Sequence, residues 1–322
     1  MKIVYITGCL GFIGAYVTRK ALQAGWYVRG IDKITYAANP DLLEEFYQYD
    51  NFTFESGDIN DIEFLYDCDY FINVAAETHV GNSIVKSDDF LKSNVTGVHH
   101  ILELLRNYRQ ENTHQPVLIQ FSTDEVYGDI EYGDHTEEDL LKPSNPYSAT
   151  KAAADLMIMS YGRTYKIPYI ILRPTNNYGI GQYVEKLIPK SIKFLNLGRQ
   201  IPLHNYGTPV RNWLHADDTA EAVMTVIRAG KVNEIYNICG GYEQTNMDVV
   251  KKLLSNYNNV TRLYESKDEI DFYLDLSYSR DGQDVRYALN DNKLRSLGWE
   301  PKKVFDEELP AIVQYYKNTF IW

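Results

Sequence analysis

The chain reads as an α/β protein built on a doubly wound parallel sheet, and three observations predict it. Short apolar runs alternate with longer helical patterns through the first half, as expected for strands covered by helices on both faces. A glycine-spaced segment, TGCLGFIG, stands between the first apolar run and the first helical pattern. A helical segment and a strand-like run of the same kind return near residues 215 to 240, after a looser stretch rich in Gly, Asn and Pro.

The expected strands of the first half are KIVYIT, WYVRGID, NFTFES, YFINVA, PVLIQFST and YIILRPT, each rich in β-branched or aromatic residues. Between them, TGVHHILELLRNYRQ and SATKAAADLMIMSYGRTY have the length and periodicity of helices. DDTAEAVMTVIRAG and EIYNICG supply the returning helix and strand. The expected division is therefore a Rossmann-type domain over 1–175, with 212–240 returning to it, and a smaller interleaved α/β lobe over 176–211 and 241–322. That lobe contains the helical patterns KKLLSNY and LPAIVQYYKN.

Of the 322 residues, 44% are hydrophobic and 24% charged, an ordinary globular composition. The net charge of -12, with no basic run, argues against a nucleic-acid partner. No apolar run reaches the roughly 18 residues of a membrane span, and Met1 leads straight into a strand-like run. A soluble, cytoplasmic protein is expected. Cys9, Cys68 and Cys239 are far apart and show no metal-ligand spacing, so neither a disulfide nor a metal is expected.

Gly8, Gly11 and Gly14 in TGCLGFIG suit a tight turn that brings backbone N–H groups against a pyrophosphate at a helix N-terminus. A glycine-rich turn without a ligand has the same spacing. Asp32 closes the second strand eighteen residues after Gly14, where a carboxylate accepts hydrogen bonds from ribose hydroxyls and repels a 2′-phosphate. This favours NAD over NADP, although Lys33 beside it offers a cation to that phosphate. Asp58, after the third strand, suits either an adenine contact or a turn.

Tyr147 and Lys151 are four apart in NPYSATKAAAD and share one face of a helix. An amine near the phenol lowers the phenol's pKa and makes it a base toward a carbinol. With 27 tyrosines such pairs also arise by chance, and Tyr16 with Lys20 is one. Asp124 and Glu125 follow the fifth strand in FSTDEVYG. Neighbours in an extended strand point to opposite faces, so the two can meet one ligand only if the chain turns there. Two adjacent carboxylates in a closed site repel, which raises one pKa and keeps one proton at hand.

TGCLGFIG, Asp32, NVAAETHV, Asn94, STDEVYG and YSATK together resemble the extended short-chain dehydrogenase/reductases over essentially the whole chain. Within them, STDEVYG, NPYSATK, NNYG and EKLIP are similar to the nucleoside-diphosphate-glucose 4,6-dehydratases. The resemblance implies contacts to NAD from Gly8, Gly11, Phe12, Ile13, Gly14, Asp32, Lys33, Thr35, Asp58, Ile59, Ala75, Ala76, Asn94, Tyr147 and Lys151. It implies a cycle in which Tyr147 takes the C4 hydroxyl proton during oxidation. Glu125 then removes the C5 proton, and protonated Asp124 donates to the departing C6 hydroxyl. Ser83 and Thr123 would touch the glucose; Asn177, Lys186, Leu187, Pro202, His204, Arg211, Asn246, Arg280 and Tyr287 would line the nucleotide end. Arginines at a diphosphate have their own warrant in forked, permanent charge.

This chain departs from the dTDP-glucose enzymes at Gly81-Asn82-Ser83, where they have Asp-Arg-Ser, at His204 in place of tyrosine, and at RDGQD, where Asp281 and Gln283 replace Pro and His. Asn82 and His204 resemble instead the UDP-glucose dehydratases, such as the first domain of plant rhamnose synthases. The expected substrate is UDP-glucose, in a rhamnose or other deoxysugar route with a reductase or epimerase acting next. The alternatives are dTDP-glucose, a sugar-nucleotide 4-epimerase, and an NAD-binding sensor without activity. The helices around TGVHHILELLRNY and SATKAAADLMIMSYG are similar to the pair that forms a homodimer in this family; their apolar faces would otherwise be buried against the sheet.

Overall fold

The computed structural model describes residues 1–111, 114–260, 262–279 and 284–319. Its strands are β1 Ile3–Thr7, β2 Tyr27–Asp32, β3 Phe52–Ser56, β4 Tyr70–Asn73, β5 Val117–Phe121, β6 Tyr169–Pro174, β7 Asn176–Tyr178, β8 Ile201–Pro202, β9 Val210–His215, β10 Glu234–Ile238, β11 Glu243–Thr245 and β12 Leu274–Asp275. The helices that matter below are α1 Phe12–Gln23, α2 Val80–Val85, α3 Gly97–Glu111, α4 Pro146–Tyr165, α5 Leu187–Asn196, α6 Ala216–Ala229, α7 Asn246–Tyr257 and α8 Phe305–Asn318.

Seven strands form one sheet in the order β10-β6-β5-β4-β1-β2-β3, every pair parallel. The predicted doubly wound α/β sheet is borne out. Apart from the largely exposed edge strand β3, its strands are buried on both faces, and period-2 alternation divides their side chains between two cores. Val4, Ile6, Ile119, Ile170 and Leu172 pack with residues of α1 and α6 on one face. Tyr5, Leu118, Tyr169 and Ile171 pack with α3 and α4 on the other. The strand order reverses between β1 and β4, which opens a crevice at the C-terminal ends of these two strands.

The remaining strands make a sheet of order β11-β9-β7 and a β12-β8 pair. α5, α7 and α8 bury Ile188, Ile192, Val249, Leu253, Phe305, Ile312 and Tyr316 in a separate cluster beside them. No helix of the described residues is long and apolar enough to cross a membrane. Cys9, Cys68 and Cys239 are buried free thiols.

Candidate active site

The glycine loop lies at the crevice. Gly8 has φ +66°, and a Cβ there would come within 2.9 Å of the Ala75 backbone after β4. A Cβ on Gly14 would come within 1.9 Å of the Gly8 carbonyl, so only hydrogen fits where α1 starts against the loop. Asp32 accepts from the Leu10 N–H at 3.0 Å and the Ile34 N–H at 2.8 Å, locking the loop to β2. Burial raises its pKa. Asp58 accepts two bonds from Asn60; burial works against its ionisation, and these bonds outweigh it and hold the carboxyl below its usual range. Lys33 is engaged by Ser93 at 3.1 Å, Glu77 at 3.4 Å and Asp58 at 3.9 Å. A cation so neutralised by two carboxylates is a poor receptor for a 2′-phosphate.

β5 ends at Phe121, and Thr123 caps a 3₁₀ turn over Asp124–Tyr127. This is the turn that one ligand for both acids requires. Asp124 is 3% exposed; its Oδ1 accepts from Thr123 Oγ1 at 3.0 Å, and its Oδ2 has no partner among the described residues. Burial first and the Glu125 charge second push its pKa up to about 7. Glu125 Oε2 accepts from Asn145 Nδ2 at 3.1 Å and lies 3.4 Å from the Tyr287 hydroxyl. Asn145 is also the N-cap of α4, in a capping box with Ser148 and with Pro146 at N1, so one residue starts the helix and orients the carboxylate.

Tyr147 lies in the first turn of α4, its N–H donating to Ser83 Oγ at 3.2 Å. Its pKa moves opposite to the sequence expectation: burial first, then the charge of Glu125, holds the phenol above its ordinary range, while the Thr123 hydroxyl opposes this. Lys151, expected to lower it, donates instead to the Phe121 carbonyl at 2.6 Å, and burial lowers its own pKa to about 8. Asn94 lies in a π-helical turn, Leu91–Thr96, and holds the Glu77 backbone through both its N–H and its carbonyl, and also the Thr150 hydroxyl. Tyr16 and Lys20 have unrelated partners: Tyr16 bonds the Ile180 carbonyl, and Lys20 pairs with Asp217 and Glu221.

A cavity of about 290 Å³ joins the glycine loop to the acid pair. Phe12, Ile13, Asp32, Lys33, Thr35, Asp58, Ile59, Ala75 and Ala76 line it with the three glycines, as do Thr123, Asp124, Glu125, Tyr147, Asn177 and Lys186. Asn94 and Lys151 stand behind this lining.

With this geometry in hand, comparison with known proteins decides the family. The family description GDP-mannose 4,6 dehydratase matches residues 5–311. The chain belongs to this family. It is 39% identical to the low-salt glycan biosynthesis protein Agl12 of Haloferax volcanii, over 97% of this chain and 98% of that one. It is 35% identical to the trifunctional UDP-glucose 4,6-dehydratase/epimerase/reductase RHM3 of Arabidopsis thaliana, over 100% of this chain and 48% of that one. DesIV of Streptomyces venezuelae, a dTDP-glucose 4,6-dehydratase solved with NAD and TYD bound, superimposes with a TM-score of 0.89 at 34% identity, covering 99% of this chain and 97% of that one. The resemblance carried by STDEVYG and NPYSATK is borne out at the level of the family.

In this dehydratase-family chain, of the remaining expected residues among those described, Asn177 and Lys186 line the cavity, whereas Ser83, Leu187, Pro202, His204, Arg211, Asn246 and Tyr287 do not. Ser83 is buried beneath Tyr147 and donates to the Val80 carbonyl. Asn177 uses its side chain internally, on Thr219 and the Thr175 carbonyl. Lys186 donates to the Thr78 carbonyl at 2.9 Å, across the cleft. Leu187 packs between two apolar clusters at the start of α5. Pro202 is in β8, and His204 meets the Tyr278 ring at 5.8 Å. Arg211 lies over the Tyr287 ring at 4.5 Å and donates to the Asp284 carbonyl. Tyr287 donates to Asp284. Asn246 starts α7, its N–H on the Pro209 carbonyl. Arg280, Asp281 and Gln283 lie outside the described residues.

Sequence reasoning assigned no role to Glu77, Tyr183 or Glu185, which also line the cavity. Tyr36 reaches Glu185 with its hydroxyl at 3.1 Å and Tyr183 with its ring at 5.3 Å. Glu77 stands inside NVAAETHV, so its acid was visible there; the Tyr36–Glu185 contact joins residues 149 apart in the chain and leaves no local signal.

Proposed function

We propose that this chain is an NAD-dependent 4,6-dehydratase of a nucleoside-diphosphate glucose, yielding the 4-keto-6-deoxy sugar nucleotide. The observation that carries the reading is Asp124, a buried carboxyl with a pKa of about 7, beside Glu125 in the cavity that reaches the glycine loop. The loop, whose glycines leave no room for a side chain, and Asp32 fit NAD, which when bound would accept the C4 hydride and return it to C6. Tyr147 takes the C4 hydroxyl proton. A phenolate formed against burial and nearby carboxylates is a strong base, and the Thr123 hydroxyl favours it.

Glu125, oriented by Asn145, removes the proton at C5, which the neighbouring ketone acidifies, and returns it to C5 once the hydride has gone back to C6. Asp124, whose raised pKa keeps a substantial protonated fraction near pH 7, gives its proton to the C6 hydroxyl so that it leaves as water. Thr123 flanks the sugar, and Ser83, its Oγ held by the Tyr147 N–H and the Val80 carbonyl, supports Tyr147 from beneath. Arg211, Tyr287 and Lys186 serve the diphosphate end together with Arg280; Asn177, Leu187, Pro202, His204 and Asn246 complete the nucleotide pocket. The proposal includes a cytoplasmic homodimer, with a nucleotide-binding domain over 1–175 and 212–240 and a substrate domain over 176–211 and 241–322.

For the base, the reading is UDP-glucose. Histidine at 204 offers less apolar area than the tyrosine of dTDP-glucose enzymes and a polar edge toward the base. The purified protein, given NAD and either nucleotide, is expected to form a 4-keto-6-deoxy sugar with no net reduced cofactor. A 4-epimer as sole product would overturn the reaction. A single methyl group is worth only about 1–3 kcal/mol in an apolar pocket, so both nucleotides should react, with kcat/KM favouring UDP-glucose. A dTDP-glucose preference of about tenfold, ~1.4 kcal/mol, would overturn the assignment of the base. His204→Tyr should move the ratio toward dTDP-glucose.

A further inference from the structure

Behind the acid pair lies an ion pair that the proposed chemistry leaves unused. Asp155 in α4 and Arg173 in β6 are 0% and 1% exposed. Asp155 Oδ2 accepts from Arg173 Nε at 3.0 Å and lies 2.9 Å from a second guanidinium nitrogen. The same oxygen accepts from Ser122 Oγ at 2.9 Å. Arg173 in turn donates to the Tyr127 hydroxyl at 2.7 Å and lies over the Tyr127 ring at 4.7 Å. The Tyr127 hydroxyl donates to Asn237 in β10 at 2.8 Å.

Ser122 is the residue before Thr123, and Tyr127 is the last residue of the turn that carries Asp124 and Glu125. The ion pair therefore grips this turn at both ends. Asp155 also follows Lys151 by one helical turn and Tyr147 by two, so the grip runs from the helix of the phenol to the loop of the acids. Its charge is the one that opposes the effect of burial on Lys151.

The geometry points to Asp155, with Arg173, as a positioning residue that sets the Thr123–Asp124–Glu125 turn against Tyr147 and Lys151, so that the groups for oxidation and for elimination face one sugar. A buried ion pair contributes little net stability compared with an apolar pair of similar volume, and its use is in specifying an arrangement. Here the arrangement specified is that of the reacting groups. The inference rests on the dehydratase reading above.

Two variants test it. Ser122→Ala removes one bond to Asp155 without uncovering a charge. Asp155→Asn/Arg173→Met removes both charges together, avoiding the unpaired ion that Asp155→Asn alone would bury. Thermal unfolding, NAD affinity by calorimetry, and kcat and KM are measured on each. Ser122→Ala should fold like wild type and lose about fivefold in kcat, the worth of one hydrogen bond, at unchanged KM. The double variant should fold and bind NAD within about threefold, yet lose roughly 100-fold in kcat, the scale of a misplacement of about 1 Å.

Wild-type kcat in the folded double variant overturns the inference, as does an effect of Ser122→Ala confined to KM or absent altogether. If the double variant does not fold, Ser122→Ala decides alone. A wild-type protein that makes no keto sugar from either nucleotide overturns the dehydratase reading itself, whereas active wild type with indifferent variants overturns only the positioning role.

Discussion

Asp124 has one oxygen buried without a donor among the described residues, and burial pushes its pKa up to about 7. Its folded pKa is raised, so the group is neutral below about 7 and ionises as pH rises through that value. If it is the acid for the C6 hydroxyl, kcat should fall above pH 7 along a one-proton limb, and the residual rate of Asp124→Asn should lack that limb. A pH profile for both proteins checks this; a wild-type kcat flat from pH 6 to 9, a window of about two units beyond the shifted value, speaks against the role. The same shift means that the folded chain holds a proton between roughly pH 4 and 7 that the unfolded chain releases, so this residue's contribution to stability declines as pH rises across that window. Glu125→Gln should stall the cycle after oxidation, so that reduced-nicotinamide absorbance builds up on the enzyme in a single turnover; no build-up would place its role elsewhere. The acid pair and the repulsion within it were legible from two adjacent letters. The upward shift of Tyr147 was not, because it follows from burial and from carboxylates that a turn brings back toward the phenol.

In the glycine loop the tightest element contact lies between Gly14 and the Gly8 carbonyl. A methyl group at 1.9 Å from that oxygen forces the start of α1 away from the end of β1. Gly14→Ala should therefore weaken NAD binding by about tenfold or more and lower stability by about 1–3 kcal/mol, the range for overpacking a close contact. Calorimetric titration and a urea melt measure the two effects, and unchanged NAD affinity would show that the loop does not carry the cofactor. Long elements with clear periodicity were legible: KIVYIT, WYVRGID and YIILRPT became β1, β2 and β6 within a residue or so. PVLIQFST overshot, since β5 stops at Phe121 where Thr123 begins to cap the turn. SATKAAAD undershot, since the capping box draws α4 back to Pro146. The two-residue β8 and β12, held by tertiary pairing, and the π-helical turn under Asn94 have no periodic signature to read.

The proposed homodimer would use the face of the sheet covered by α3 and α4. These helices are fastened to each other by Tyr161 on Glu103, Arg106 over the Tyr165 ring at 4.2 Å, and Tyr161 against His99. Their inner faces are spent on the sheet: Ile101, Leu105, Ala154 and Ile158 are fully buried there. Apolar side chains nevertheless remain outside. Leu156 is 56% exposed and Met159 39%, one turn apart on the outer side of α4, and Leu91, in the π-helical turn that leads into α3, is exposed as well. Burial against the sheet therefore does not use up the apolar surface of this pair, and the proposed homodimer gives it a partner through a two-fold contact of like surfaces. A carboxylate at the centre of such a contact faces its own copy and is desolvated without a partner, which costs several kcal/mol. Wild type should accordingly sediment at twice the 37.2 kDa of the chain, and Leu156→Glu at the mass of one chain. Leu156 is more than half exposed in the monomer, so the variant should keep its thermal unfolding temperature when compared as a monomer. Analytical ultracentrifugation at micromolar concentration gives the answer: a wild-type monomer, or a dimer that Leu156→Glu leaves intact, would mean that this face is not the one through which two copies meet.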